Sequence, residues 1–223
     1  MINLGILISG RGSNMESILN FLKENNIADI CPKIVISSKT EAEGLKKASK
    51  FGVPTRVVSN NSKGWDYDSE IINILQEYDV NPENGLVCLA GYMRLLSPEF
   101  VRKYKMRIMN IHPSLLPSFP GLNSQKKALD YGVKVTGCTV HFVDEGLDSG
   151  PVIAQKHVTV LDSDTFETLS ERILVQEHIL YPYCVKLFSE KRLLVEGRRV
   201  IVSEIRRKNT QSTVKQKNGV VIS

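Results

Sequence analysis

Between Ile2 and His112 the chain alternates apolar runs with amphipathic stretches, and this alternation constrains its fold more than any other feature. "INLGILIS", "PKIVISS", "PTRVVS", "GLVCLAG" and "RIMNIH" read as strands. "MESILNFLKEN", "EAEGLKKASKFG" and "WDYDSEIINILQEY" read as the helices between them, the last with Ile71, Ile72, Ile74 and Leu75 at helical spacing. "SPEFVRKY" opens a further helix, with Ser97 as N-cap and Pro98 in the first position. Such alternation predicts an α/β fold: a mostly parallel twisted sheet with helices on both faces.

The second half changes style. "KVTGCTVHFV" and "GPVIAQKHVTV" predict strands facing each other across "DEGLDSG", an antiparallel C-terminal part. The helix "TFETLSERILVQEHILYPYCVKLFSEK" follows, with a kink expected at Pro182. "RLLVEGRRVIVSE" predicts a closing hairpin over Glu196 and Gly197. There is no internal repeat. The reading is one domain, 1–205, and a basic polar tail, 206–223, expected to be mobile.

Composition narrows the partners. The formal net charge of the 223-residue chain is +5, but Arg206, Arg207, Lys208, Lys215 and Lys217 face only Glu204 in the last stretch. The body is therefore nearly neutral and has no basic face with interleaved aromatics, so no nucleic-acid partner is expected. "INLGILISG" is too short to span a bilayer and lacks the flanks of a targeting signal, so a cytoplasmic protein is expected and no membrane partner. Cys31, Cys88, Cys138 and Cys184 are widely spaced without a CxxC pair, which favours buried reduced thiols over disulfides or zinc. No histidine pair has metal-protease spacing, and no metal is expected.

Three stretches carry chemistry. In "ISGRGSN", a glycine-rich turn opens a helix after the first strand, where free N–H groups and the helix dipole favour an anion. Met15 stands where a dinucleotide fingerprint needs its third glycine, and the Walker pattern is absent, so a single phosphate fits better than NAD or ATP. The alternative is a tight turn that binds nothing. In "NIHPSLLPSFPG", Asn110 and His112 share one strand face at the carboxyl end of the sheet, where ligands bind in open α/β folds. An amide and an imidazole there can stabilise an oxyanion, or merely satisfy backbone groups of an irregular loop. In "DEGLDSGPVIAQ", Asp148 is a candidate partner for the imidazole and a proton carrier; the alternative is an ordinary acidic turn. His141 reads as a satisfied core histidine or one backing the site, His157 as exposed, and His178 as less interesting than its neighbour Glu177.

"ISGRGSN", "LAGYMRLLSP", "NIHPSLLPSFPG", "GCTVHFVDEGLDSGPVIAQ" and "QEHILYP" together resemble the folate-dependent phosphoribosylglycinamide formyltransferases over about residues 1–200. The resemblance implies a Rossmann-like formyltransferase fold. It also implies formyl transfer from 10-formyltetrahydrofolate, as co-substrate, to the amine of glycinamide ribonucleotide in purine synthesis. It gives His112, held protonated by Asp148, and Asn110 the oxyanion, and gives Asp148 the amine proton. It assigns Gly12, Ser13 and Asn14 to the substrate phosphate, and Glu177, in the segment Leu174, Val175, Gln176, Glu177, to the ribose. It assigns Met93, Arg94, Leu95 and Leu96 to the folate, with Asn110 and the loop Asp144, Glu145, Gly146, Leu147, Asp148. The family's basic residue before its "YD" helix has no direct counterpart in "NSKGWDYD"; Lys63 is nearest, and Gly64 aligns. Two relatives compete: methionyl-tRNA formyltransferase, which resembles a longer chain with an RNA-binding domain, and formyltetrahydrofolate deformylase, which bears an N-terminal regulatory domain. A non-catalytic phosphometabolite-binding protein would need the anion turn without Asn110, His112 and Asp148. The sequence carries no sign of oligomeric state.

Overall fold

The computed structural model describes residues 1–204, so the basic tail lies outside the described residues. The elements run β1 (Ile2–Ile8), α1 (Ser13–Glu24), β2 (Ile30–Ser37), α2 (Glu43–Lys50), β3 (Thr55–Val57), α3 (Trp65–Glu77), β4 (Gly85–Leu89), α4 (Pro98–Lys103) and β5 (Ile108–His112). They continue with α5 (Ser124–Tyr131), β6 (Val135–Phe142), β7 (Val152–Thr159), α6 (Phe166–Ser189), β8 (Leu193–Glu196) and β9 (Arg199–Val202). The strands form one sheet in the order β3-β2-β1-β4-β5-β6-β7-β9-β8. β1 to β5 are mutually parallel where they pair, and β6 joins β5 and β7 antiparallel.

Side-chain alternation divides the core in two. Leu4, Ile6 and Ile8 of β1 and Leu86 and Cys88 of β4 pack with Met15 and Ile18 of α1 and Leu169 and Ile173 of α6. Leu7, Val87 and Leu89 point to the other face, against Ile71, Ile72 and Leu75 of α3 and Phe100 of α4. Strands buried on both faces must be apolar throughout, which is why they read as unbroken hydrophobic runs. The strand order reverses at β1, flanked by β2 and β4, and so opens a crevice beyond the carboxyl ends of β1 and β4.

Ser97 caps α4 as expected: its hydroxyl accepts from the Phe100 N–H, and Pro98 follows it. Pro182 lies inside α6, which runs from Phe166 to Ser189. The closing hairpin turns one residue later than expected, through Gly197 and Arg198, because Glu196 pairs with Arg199. α5 was not anticipated; only Ser124 and Ala128 of its eight residues are buried, too few to print a helical pattern.

Candidate active site

Two cavities open where the strands end. The larger, about 500 Å³, lies over the turn after β1 and takes in Gly12, Ser13, Asn14, Met93, Leu174 and Glu177. The smaller, about 340 Å³, lies over β4 and β5 and takes in Arg94, Leu95, Leu96, Asn110, Asp148 and the rest of the 144–147 loop. Consecutive residues of two segments divide between the cavities. Met93 faces the larger cavity while Tyr92 and Arg94 face the smaller, and Ile111 faces the larger while Asn110 faces the smaller.

The anion turn is shaped by glycine. Gly12 precedes α1 with φ 67°. A Cβ there would stand 2.7 Å from the Gly44 Cα, so the turn closes only on a residue without a side chain. Asn14, in the first turn of α1, donates from Nδ2 to Glu177 Oε2 at 2.7 Å. Burial pushes the Glu177 carboxyl up to about 7, against the opposing Asn14 bond. Tyr181, one turn beyond Glu177, places the helix. Its hydroxyl lies 3.1 Å from the carbonyl of Leu89, the last residue of β4, and 2.8 Å from that of Met109 within β5.

The 110–121 segment is held by side chains from β6 and β7. Thr139 Oγ1 donates to the Ser114 carbonyl and accepts from the Leu116 N–H, and Gln155 Nε2 donates to the Leu116 carbonyl. Asn110 and His112 lie on one face of β5, opposite Met109 and Ile111, which join the α1 and α6 core. His112 Nε2 lies 3.0 Å from the Phe119 carbonyl and 3.0 Å from Ser124 Oγ, which itself donates to the Gly121 carbonyl. Its Nδ1 lies 3.4 Å from Asp148 Oδ2. Both ring nitrogens therefore face acceptors, an arrangement that the doubly protonated ring satisfies. The Nδ1 contact is the longer, and it is the one directed toward the cavity-lining carboxylate.

Asp148 has φ 48°, a left-handed conformation that aspartate and asparagine tolerate best among residues with a side chain. Its Oδ2 also accepts from the Gly121 N–H at 2.8 Å. The loop returns to the sheet at Gly150, where a Cβ would stand 1.8 Å from the Phe142 carbonyl oxygen. Asp144 secures the loop from within, accepting from the Gly146 N–H and the Ser149 hydroxyl, and Glu145 pairs with Arg102 at 3.2 Å.

Other expected site residues fall outside this constellation. Val175 is exposed on α6, and neither it nor Gln176 lines a cavity. Lys63 is exposed and lines neither cavity. The neighbouring Ser62 carbonyl instead accepts from Arg94 Nη2 at 2.5 Å, while the Arg94 guanidinium stacks 3.6 Å from the Tyr67 ring centroid. The basic group at the smaller cavity is thus Arg94, held by the segment that contains Lys63. Met93, which the resemblance assigns to the folate, lines the larger cavity.

The formyl transferase family matches residues 2–185 of the chain. The trifunctional purine biosynthetic protein adenosine-3 of Gallus gallus is 46% identical over 189 residues, which are 83% of this chain and 18% of that protein. The chain thus spans about a fifth of the length of such trifunctional relatives. Phosphoribosylglycinamide formyltransferase of Escherichia coli K12 is 40% identical over 86% of this chain and 89% of its own length. The crystal structure of glycinamide ribonucleotide transformylase 1 from Symbiobacterium toebii superposes with a TM-score of 0.86 at 46% identity, covering 92% of this chain and 95% of that one.

Proposed function

The chain belongs to the formyl transferase family, and we propose that it transfers the formyl group of 10-formyltetrahydrofolate to the amine of glycinamide ribonucleotide, a step of purine synthesis. The observation that carries this reading is the pair of cavities whose linings divide consecutive residues, Met93 from Arg94 and Ile111 from Asn110. A phosphorylated acceptor anchored at the 12–14 turn and a folate donor in the cavity of Arg94 and the 144–148 loop would meet at Asn110 and Asp148.

The chemistry follows from that meeting. The acceptor amine attacks the formyl carbon, and negative charge develops on the formyl oxygen. Asn110 Nδ2–H donates to that oxygen, and the positive charge of the His112 ring, paired through Nδ1 with Asp148, stabilises it electrostatically. Asp148 takes the proton that the amine gives up and passes it, through water, to the departing folate nitrogen. The Glu177 carboxylate accepts from the ribose hydroxyls, and the N–H groups at Gly12, Ser13 and Asn14 hold the phosphate. The buried free thiols of Cys88, Cys138 and Cys184 suit a reducing compartment, and the cytoplasm is the setting this reading requires.

Release of tetrahydrofolate, followed spectroscopically with and without the ribonucleotide amine, tests the proposal. Turnover should depend on the acceptor. Equal release in its absence would make the protein a hydrolase of the formyl donor, and no release in its presence would remove the transferase reading.

A further inference from the structure

We propose that His141 is a positioning residue for this reaction: through a bare Nε2 it fixes the carboxamide of Asn110 with its N–H edge toward the reacting oxygen. The proposal rests on the formyl-transfer reading above.

Register brings the two residues together. β5 and β6 pair antiparallel with Asn110 opposite His141 and His112 opposite Thr139. Directly opposed side chains on neighbouring strands share a face. His141 is buried, 2% exposed, and its Nδ1 lies 2.9 Å from the Phe142 carbonyl oxygen. A carbonyl only accepts, so Nδ1 carries a proton. Burial holds the ring below the ordinary histidine value, outweighing the Phe142 carbonyl and Asp148, which pull the other way. In the neutral ring Nε2 is then an acceptor. It lies 3.2 Å from Asn110 Nδ2, so the amide must present nitrogen rather than oxygen to it.

An asparagine carboxamide has two ends of nearly equal shape and opposite polarity. Without an acceptor beside it, Asn110 can turn its oxygen toward the site and repel a developing oxyanion. With His141 Nε2 bound to one N–H, the second N–H of Nδ2 remains for a ligand. His141 Nε2 also stands 4.0 Å from Asp148 Oδ1, so the same ring borders the proton carrier without bonding to it. The charged and titratable groups around it are Asp148, His112 and Asp144.

Two substitutions separate positioning from bulk. In His141→Gln the side-chain oxygen falls near the place of Nε2 and can accept from Asn110. In His141→Asn the amide falls near Nδ1 and can keep the Phe142 bond but not the Asn110 one. Loss of a partner that orients an active group costs about 10- to 100-fold. We expect kcat of His141→Asn to fall by that factor, with both KM values nearly unchanged, and His141→Gln to recover most of it. In an Asn110→Ala background, His141→Asn should add almost nothing, because the group it positions is gone. Equal loss in the two variants, or full additivity with Asn110→Ala, would overturn the proposal. A measurement on the unmodified protein guards against variants that fail to fold. Nitrogen-15 spectra at neutral pH should show His141 with Nδ1 protonated and Nε2 bare, and the reverse tautomer or a doubly protonated ring would overturn the proposal equally. Absence of formyl transfer by the unmodified protein would instead defeat the underlying reading.

Discussion

Asn14 and Glu177 meet across 163 residues of sequence in a buried 2.7 Å hydrogen bond between α1 and α6, at the floor of the larger cavity. A carboxyl buried with one amide donor resists ionisation, which is why its titration is raised from 4.5 to about 7. The sign follows. The folded state holds this proton where the unfolded chain has released it, so the contribution to stability is full below about pH 4.5 and is lost as pH rises toward 7.

Glu177→Gln removes that titration. Unfolding free energy of the wild type, relative to the variant, should decline by an amount on the order of a few kcal/mol between pH 4.5 and 7 and then level off. Urea unfolding at a series of pH values checks this. Parallel profiles for the two proteins would mean that Glu177 titrates normally. Under the transferase reading the variant should also lose affinity for the ribonucleotide, most clearly above pH 7, where the wild-type carboxylate is charged.

The turn after β1 needs a different probe from the residue that shapes it. Gly12→Val would drive a side chain into the Gly44 backbone at positive φ, so it would damage the fold along with any anion site. Gly10 has open space around its Cβ position and lines the same cavity. Gly10→Val should leave stability nearly unchanged and raise KM for the ribonucleotide on the order of 10-fold by obstructing phosphate. Steady-state kinetics varying each substrate checks it; equal effects on both KM values would count against a phosphate at this turn.

Tyr181 gives a test of how α6 is held. Its single O–H is shared between the carbonyls of Leu89 and Met109, and Tyr181→Phe removes that buried donor. The variant should be less stable by about 1–3 kcal/mol. Because the same helix carries Glu177 one turn away, KM for the ribonucleotide should rise more than KM for the folate. An unchanged denaturation midpoint would show that the carbonyls find other donors.

What the sequence disclosed, and what it withheld, follows from the range of the interactions. β1 to β5 were legible because strands buried on both faces need unbroken apolar text, and the helices between them show one apolar face. That Asn110 and His112 share a face was legible from strand period alone. His141 was placed no closer than core or supporting role, because its contact with Asn110 depends on the β5–β6 register, which no local pattern encodes. Likewise Ser124, which holds His112 Nε2, begins a helix whose short buried stripe gave no signal. Met93 and Arg94 are neighbours in one motif, and only the fold reveals that they face different cavities.

The proposed mechanism turns most on Asp148, and its geometry makes it a clean target. Its carboxylate does two separable jobs: Oδ2 accepts from the Gly121 N–H at 2.8 Å, and the same oxygen faces His112 Nδ1 at 3.4 Å. Asparagine keeps the shape, tolerates the left-handed backbone at φ 48° and can still accept from Gly121. What Asp148→Asn removes is the negative charge beside His112 and the ability to take a proton. Loop and cavity should therefore survive, and substrate binding with them, while the chemical step fails. General acid–base assistance is worth roughly 10²–10⁴-fold, and the charge beside the imidazole adds to the loss, so kcat should fall toward the upper end of that range. KM for both substrates should change little, the pattern of an interaction realised only in the transition state. Single-turnover measurements with saturating donor and acceptor isolate that step from product release. A variant that turns over at near wild-type rate would leave Asp148 as a residue that shapes the loop and return the proton transfer to another group.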